Sequence, residues 1–300
     1  MEGTIRNPDV SSVVVGVDGS PPAHRAALWA AAEAARRERP LHIVHAADTD
    51  SRSLYLSVPG VEGIREVGRE ILRSTAEAVS AEYPGVLVTT EFSGSDPVTS
   101  LRKAAGTHGT IVVGNRGMGG FHSLVLGSVG LRSAAGARTP VIVVRGTEEA
   151  TETGVVLVGI RDERDFDCAR YAAREAELRK ASLRLLHVWN VLETVGTVTT
   201  TLDDMEEIAG RHVQRLKAVS QQIRDEFPDL TVEADAEKSI SVPAVLVEAS
   251  HHADLLVMGG RRSPGYIGPT LGRATHSLIH HAHCPVLLVP RYGHESGSES

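Results

Sequence analysis

Short apolar runs rich in β-branched residues recur along this chain, each followed by a longer stretch with apolar positions every three or four residues. Runs of the first kind predict buried strands, and stretches of the second kind predict amphipathic helices. Ser12-Val-Val-Val-Gly16-Val17-Asp18 opens the series as a strand. An alanine-rich helix is expected next, from about Ala23 to Arg37, with Ala27, Leu28, Ala31 and Ala35 as its apolar stripe. Further strands are predicted over Leu41–Ala46, Val86–Phe92, Thr110–Gly114 and Pro140–Arg145. Helices are predicted over Glu62–Glu82 and Pro97–Gly106, and from Ser128 to a stop at Gly136. Strands separated by helices of this length call for crossover connections, hence a parallel sheet covered on both faces.

The pattern then starts again. Val155-Val-Leu-Val-Gly159 answers Val13-Val-Val-Gly16, Leu185-Leu-His-Val188 answers Ile43-Val-His-Ala46, and Leu255-Leu-Val-Met-Gly259 answers Ile111 to Gly114. Gly114 to Pro140 and Gly259 to Pro285 each span 26 positions, so the registers coincide. The polar run Gly146 to Thr153 lies between the halves and, fully extended, reaches roughly 26 Å, enough to join neighbours without separating them. The expected architecture is α/β, two tandem open parallel five-stranded sheets with helices on both faces. The expected domains are residues 1–147 and 153–300. The polar tail after Pro290 has nothing to bury and is expected to be disordered.

Composition changes this picture only by exclusion. The net charge of −7 argues against a nucleic-acid or membrane-surface partner, since both select a basic face. Cys168 and Cys284 make no C-x-x-C pair and read as buried small hydrophobes in a reducing compartment. The absence of a long apolar segment adds the expectation of a cytoplasmic protein. His276, His280, His281 and His283 share a helical spacing, but nothing in the spacing completes a zinc ligand set, so solvated or capping histidines are expected.

The chemistry-bearing stretch is Thr110-Ile-Val-Val-Gly114-Asn-Arg116-Gly117-Met-Gly-Gly-Phe-His-Ser-Leu-Val-Leu-Gly127-Ser128-Val129-Gly130. A buried strand leaves through a glycine-rich loop and enters a helix, whose first N–H groups have no intrahelical acceptor and attract anions. Arg116 and His122 can add charge to such a cradle. It is neither a G-x-x-x-x-G-K-(S/T) loop nor a G-x-G-x-x-G turn after the first strand. Glycine also serves tight turns without any ligand. Ser128 reads equally as a helix N-cap, and Asp18-Gly-Ser20-Pro-Pro as a turn in which Asp18 or Ser20 caps the next helix.

The spacing G-x2-G-x9-G-(S/T), met by Gly114, Gly117, Gly127 and Ser128, resembles the ATP-binding motif of the universal stress protein family. With the duplication, the chain resembles a tandem universal stress protein of the actinobacterial type over nearly its whole length. That resemblance implies strand order 3-2-1-4-5 and ATP, with or without Mg²⁺, at the carboxyl edge of the sheet. It assigns Val17 and Asp18 to the adenosine and metal region, and Val44 to the adenine. It assigns Gly114, Arg116, Gly117, Gly127, Ser128 and Val129 to the phosphates. In the second half Arg161 stands for Asp18, Arg262 for Gly117 and Arg273 for Ser128, so that site is altered. The resemblance also implies pairing of fifth strands, here within one chain as a pseudo-dimer, with a homodimer as a further assembly. No catalytic constellation is evident. The reading is a nucleotide-binding regulator, set against a slow ATPase or nucleotide-transfer enzyme with Asp18 holding Mg²⁺, and against a ligand-free structural stress protein. The connection Ala47–Pro59 is long, and its Leu54, Tyr55 and Leu56 need a place to bury: either it closes over bound adenosine or these residues pack onto the neighbouring domain.

Overall fold

Val13-Val-Val-Gly16 has no polar side chain to turn toward water, so β1 (Val13–Gly16) can only be a central strand, and its valines are fully buried. The structure, a computed structural model, describes residues 12–52, 57–115, 127–136, 139–145, 152–190, 202–259 and 271–290. In the first half α1 (Pro21–Arg36), α2 (Val58–Glu82), α3 (Pro97–Ala105) and α4 (Ser128–Gly136) alternate with β2 (Leu41–Ala46), β3 (Val88–Ser93), β4 (Thr110–Gly114) and β5 (Val141–Val144). The second half repeats the series as β6 (Val155–Gly159), α5 (Phe166–Arg179), β7 (Ser182–Asn190), α6 (Leu202–Glu226), β8 (Val232–Ser239), α7 (Val242–Ala249), β9 (Leu255–Gly259), α8 (Arg273–His281) and β10 (Val286–Val289).

Each half has the order 3-2-1-4-5, and the halves run together into one ten-stranded sheet, β3-β2-β1-β4-β5-β10-β9-β6-β7-β8. Every pairing is parallel except the junction, where β10 lies antiparallel to β5 with Leu287 opposite Ile142. Alternation along the strands sorts side chains into two core layers. Val13, Val15, Val112, Ile142 and Leu287 face α1, α2, α5 and α6, whereas Val14, Ile111, Val141, Val143 and Leu288 face α3, α4, α7 and α8. Both layers cross the junction, so neither half ends in an exposed apolar edge there.

Local sequence sets the helix starts. Ser20 caps α1, Ser57 caps α2 and Asp96 caps α3, each followed by proline in the first turn. The Ser57 cap starts α2 at Val58, a turn before the sequence pattern alone suggested. The connection after β2 is not a continuous loop, since Thr49–Arg52 forms a helical turn. Its Asp50 N–H donates to the Gly94 carbonyl (2.9 Å), anchoring this part to the turn after β3. Leu54, Tyr55 and Leu56 lie outside the described residues. Among the described residues no helix is long and apolar enough to cross a membrane.

Helix α1 carries charges on its buried side. Glu33 of α1 and Arg37, which caps its end, meet Glu175 and Arg179 of α5 across the junction, in a ring closed by Arg37 Nη2 donating to Glu175 (2.6 Å) and Arg179 Nη2 donating to Glu33 (2.8 Å). Cys168 and Cys284 are buried free thiols, and burial pushes each up to about 12, which leaves them protonated and inert at neutral pH.

Candidate functional site

The order reverses between β1 and β4, and at such a switch point the loops leaving the two strands diverge and open a crevice at the carboxyl edge. Val17, Asp18, Gly114, Gly127, Ser128 and Val129 all lie on the segments leaving those two strands. Val44 lies one strand further along, buried in the core, with its carbonyl accepting from the Val17 N–H (2.9 Å).

The turn after β1 is braced from both sides. Asp18 Oδ1 accepts from the Ser20 N–H (3.0 Å) and from the Ser20 hydroxyl (2.6 Å), and Ser20 Oγ accepts from the Ala23 N–H (3.3 Å). Of the two capping candidates, Ser20 is the cap and Asp18 holds it. Gly19 sits at φ +83°, a conformation that costs glycine nothing and a β-substituted residue a good deal. His45 Nδ1, 2.8 Å from the Val17 carbonyl, must be the donor because a carbonyl can only accept.

The end of β4 packs directly on the start of α1. A Cβ at Gly114 would stand 2.7 Å from the Pro22 carbonyl oxygen, a backbone atom with no room to retreat. Gly114→Ala is therefore expected to lower the unfolding free energy by about 1–3 kcal/mol, as overpacking does. A denaturant midpoint unchanged from wild type would refute that close approach.

The loop leaving β4 is drawn shut at its base, where the Gly127 N–H donates to the Asn115 carbonyl (2.9 Å). The Leu131 N–H donates in turn to the Gly127 carbonyl (3.2 Å), so α4 begins at once. This corrects the N-cap reading of Ser128: Ser128 is the first helical residue, its side chain is exposed, and Gly127 takes the capping position. Arg116, Gly117 and His122 lie outside the described residues.

The second half keeps the frame and changes the chemistry. His187 Nδ1 lies 2.8 Å from the Ile160 carbonyl, as His45 does from Val17. Gly159 again ends the first strand, now because a Cβ would meet Met258 Sδ at 2.7 Å. Where Asp18 turns back to hold Ser20, Arg161 points outward and its N–H donates to Asp165 (2.9 Å). Helix α8 begins at Arg273 after Gly272, with no side-chain cap. Arg262 lies outside the described residues. At the opposite end of α8, Arg145 from the first half donates to the Ile279 (3.0 Å) and Ala282 (2.9 Å) carbonyls. Among the described residues, no three His, Cys, Asp or Glu side chains converge as a metal site.

Sequence reasoning overlooked His45 and the Asn115–Gly127 neck. The signal for the first was present, since a histidine recurs at the same place in Leu185-Leu-His-Val188. The neck is a contact between residues twelve apart, invisible to any local pattern.

A duplicated, doubly wound α/β sheet, with a switch point between β1 and β4 in its first half, defines the class of fold. The chain belongs to the Universal stress protein family, whose model matches residues 10–145 and again residues 153–290. A universal stress protein of Mycolicibacterium smegmatis is 29% identical over 291 residues, covering 92% of this chain and 96% of that one. A universal stress protein of Mycobacterium tuberculosis is 29% identical over 288 residues, with the same coverage of both chains. Among solved structures, a universal stress protein from Archaeoglobus fulgidus superposes with a TM-score of 0.69 at 18% identity, over 94% of this chain and 98% of that one. At that identity the match speaks for the fold alone.

Proposed function

We propose that this protein is a regulatory universal stress protein that binds ATP in its first half, the unit we take as residues 1–147. The observation that carries the reading is the hydrogen bond from the Gly127 N–H to the Asn115 carbonyl. It joins the end of β4 to the residue before α4, so the helix starts on the segment leaving β4, and the proposal sets that start beside Asp18. With the Gly127 N–H already spent, the donors left to a phosphate at the helix start are the N–H groups of Ser128, Val129 and Gly130. The helix dipole adds partial positive charge there. Arg116 and Gly117 complete the motif in sequence. Val17, Asp18 and Val44 are assigned to the nucleoside side, where Asp18 accepts from the ribose hydroxyls or holds Mg²⁺. A bound Mg²⁺ supplies neutralisation of the phosphate charge. The second half, residues 153–300, is proposed to have lost this site through Arg161, Arg262 and Arg273.

The antiparallel pairing of β5 with β10 supports an intrachain pseudo-dimer, and it consumes the edges through which two such chains would otherwise join. Any homodimer must use another surface. The proposed setting is the cytoplasm.

Native mass spectrometry of the intact chain incubated with ATP is the test. One added ATP mass per chain is expected, with Asp18→Ala weakening binding at least tenfold and Arg161→Ala leaving it unchanged. Two equivalents would show the second half to be a working site. No added mass would favour the structural reading. Conversion of bound ATP to ADP on incubation with Mg²⁺ would make the protein a slow ATPase.

A further inference from the structure

His45 and His187 occupy matching places, but what lies beyond their outer nitrogens differs. Register pairs His45 with Phe92 in the first half and His187 with Ala236 in the second. Gly68 and His212 also match, each the eleventh residue of a 25-residue helix. Gly68 has no space for a side chain, since a Cβ there would stand 2.5 Å from the Phe92 ring and 2.7 Å from the His45 ring. The second half exchanges the two. Alanine replaces phenylalanine on the strand, and His212 fills the space from the helix, with its ring stacked on Trp189 at 4.7 Å and 7°. The exchange keeps a ring in place and swaps an inert one for a titratable one. His212 Nδ1 now lies 2.8 Å from His187 Nε2.

We propose that His187 and His212 form a proton-operated latch between β7 and α6, present in the second half and replaced in the first by the Phe92–Gly68 packing, closed at neutral pH and opened by acid. The Ile160 carbonyl fixes the tautomers. His187 must donate from Nδ1, so its neutral ring offers a lone pair at Nε2, and His212 must donate its Nδ1–H to that lone pair. A first proton on the pair leaves one N–H between the rings and the bond intact. A second proton sets two N–H groups against each other, and the bond is lost. The rings titrate as a unit.

The surroundings oppose protonation. Burial lowers both rings below the ordinary 6.5, and Arg215 acts in the same direction on both, joined at His212 by His187 itself and Arg211. Asp162, in the turn after β6, and the bond to Ile160 act the other way on His187, and β8 presents only Ala236 opposite it. Since both groups are depressed in the folded protein, their contribution to stability is complete above 6.5 and declines as pH falls through the folded values. The latch is independent of any nucleotide.

Hydrogen exchange on the intact chain at pH 7.5 and pH 5.0, corrected for the intrinsic pH dependence of amide exchange, tests the latch. Peptides from α6 are expected to lose protection in acid by on the order of tenfold, the factor carried by one unit of differential proton binding. The matching helix α2 of the same molecules should not change. His212→Gly with Ala236→Phe, which transplants the first-half arrangement, should abolish the acid response of α6. His212→Phe, which keeps the stack on Trp189, should do the same if the double variant does not fold. Equal loss in α2 and α6, no loss in either, or an acid response that survives both variants would overturn the proposal.

Discussion

Replacing Arg37 with methionine should lower the unfolding free energy by about 3–5 kcal/mol, the usual cost of breaking a buried charge pair from one side. Arg37 Nη2 donates to Glu33 at 2.5 Å and to Glu175 at 2.6 Å, while Arg179 donates to both carboxylates in return. The side chains of Glu33 and Glu175 are 0% exposed, and those of Arg37 and Arg179 are 1% and 7% exposed. Taking Arg37 away leaves two dehydrated carboxylates sharing Arg179 and the partly exposed Arg36, which donates to Glu33 (2.8 Å). The damage lies in the orphaned charges, so replacing all four residues together with apolar side chains of similar size should cost far less, or nothing. Chemical denaturation of both variants decides the matter, and equal losses would mean that the ring is not electrostatic in origin. Acid gives an independent check on wild type. Burial alone would push the Glu33 carboxyl up, but Arg179, Arg37 and Arg36 more than offset it and hold the group at about 2. A carboxylate depressed in the folded state contributes stability that is complete above its ordinary 4.5 and is lost as pH falls from there toward 2. Wild type should therefore lose stability over that window.

Ser128→Asp should separate folding from binding, because its two effects have opposite sign. A carboxylate in the first turn of α4 interacts favourably with the helix dipole, worth about 0.3–1 kcal/mol, so the fold should be as stable as before or slightly more. The same carboxylate stands where the proposal puts a phosphate. It repels the ligand and competes for the N–H donors, and loss of one charge-assisted hydrogen bond alone costs about 1.5–3 kcal/mol. ATP affinity measured by isothermal titration should fall at least a hundredfold, about 2.7 kcal/mol. Unchanged affinity with an intact fold would place the phosphates elsewhere and remove α4 from the site. The matching substitution Arg273→Asp in the second half should leave ATP binding untouched.

Much of the fold was legible in the sequence because its signals are local and repeated. Runs such as Val13-Val-Val-Gly16 and Leu255-Leu-Val-Met-Gly259 have no polar side chain to show to water, so they had to be interior strands. The recurrence of the pattern after Thr153 announced the duplication. The elements of the candidate site were legible for the same reason, as glycine spacing and a strand-to-helix switch are written in consecutive residues. What tertiary structure alone decided was the partner each residue meets. The buried ring illustrates the division. Ala30-Ala31-x-Glu33-Ala34-x-x-Arg37 recurs as Ala172-Ala173-x-Glu175-Ala176-x-x-Arg179, so the repeat is present in the sequence, but nothing local tells that its two copies meet. Only the antiparallel meeting of β5 and β10 brings α1 and α5 face to face and closes those copies on each other, away from water. The exchange of Phe92 and Gly68 for Ala236 and His212 is of the same kind, because each substitution makes sense only through the space its counterpart leaves. Local pattern records what a residue prefers, and burial and pairing depend on which distant residue fills the space beside it.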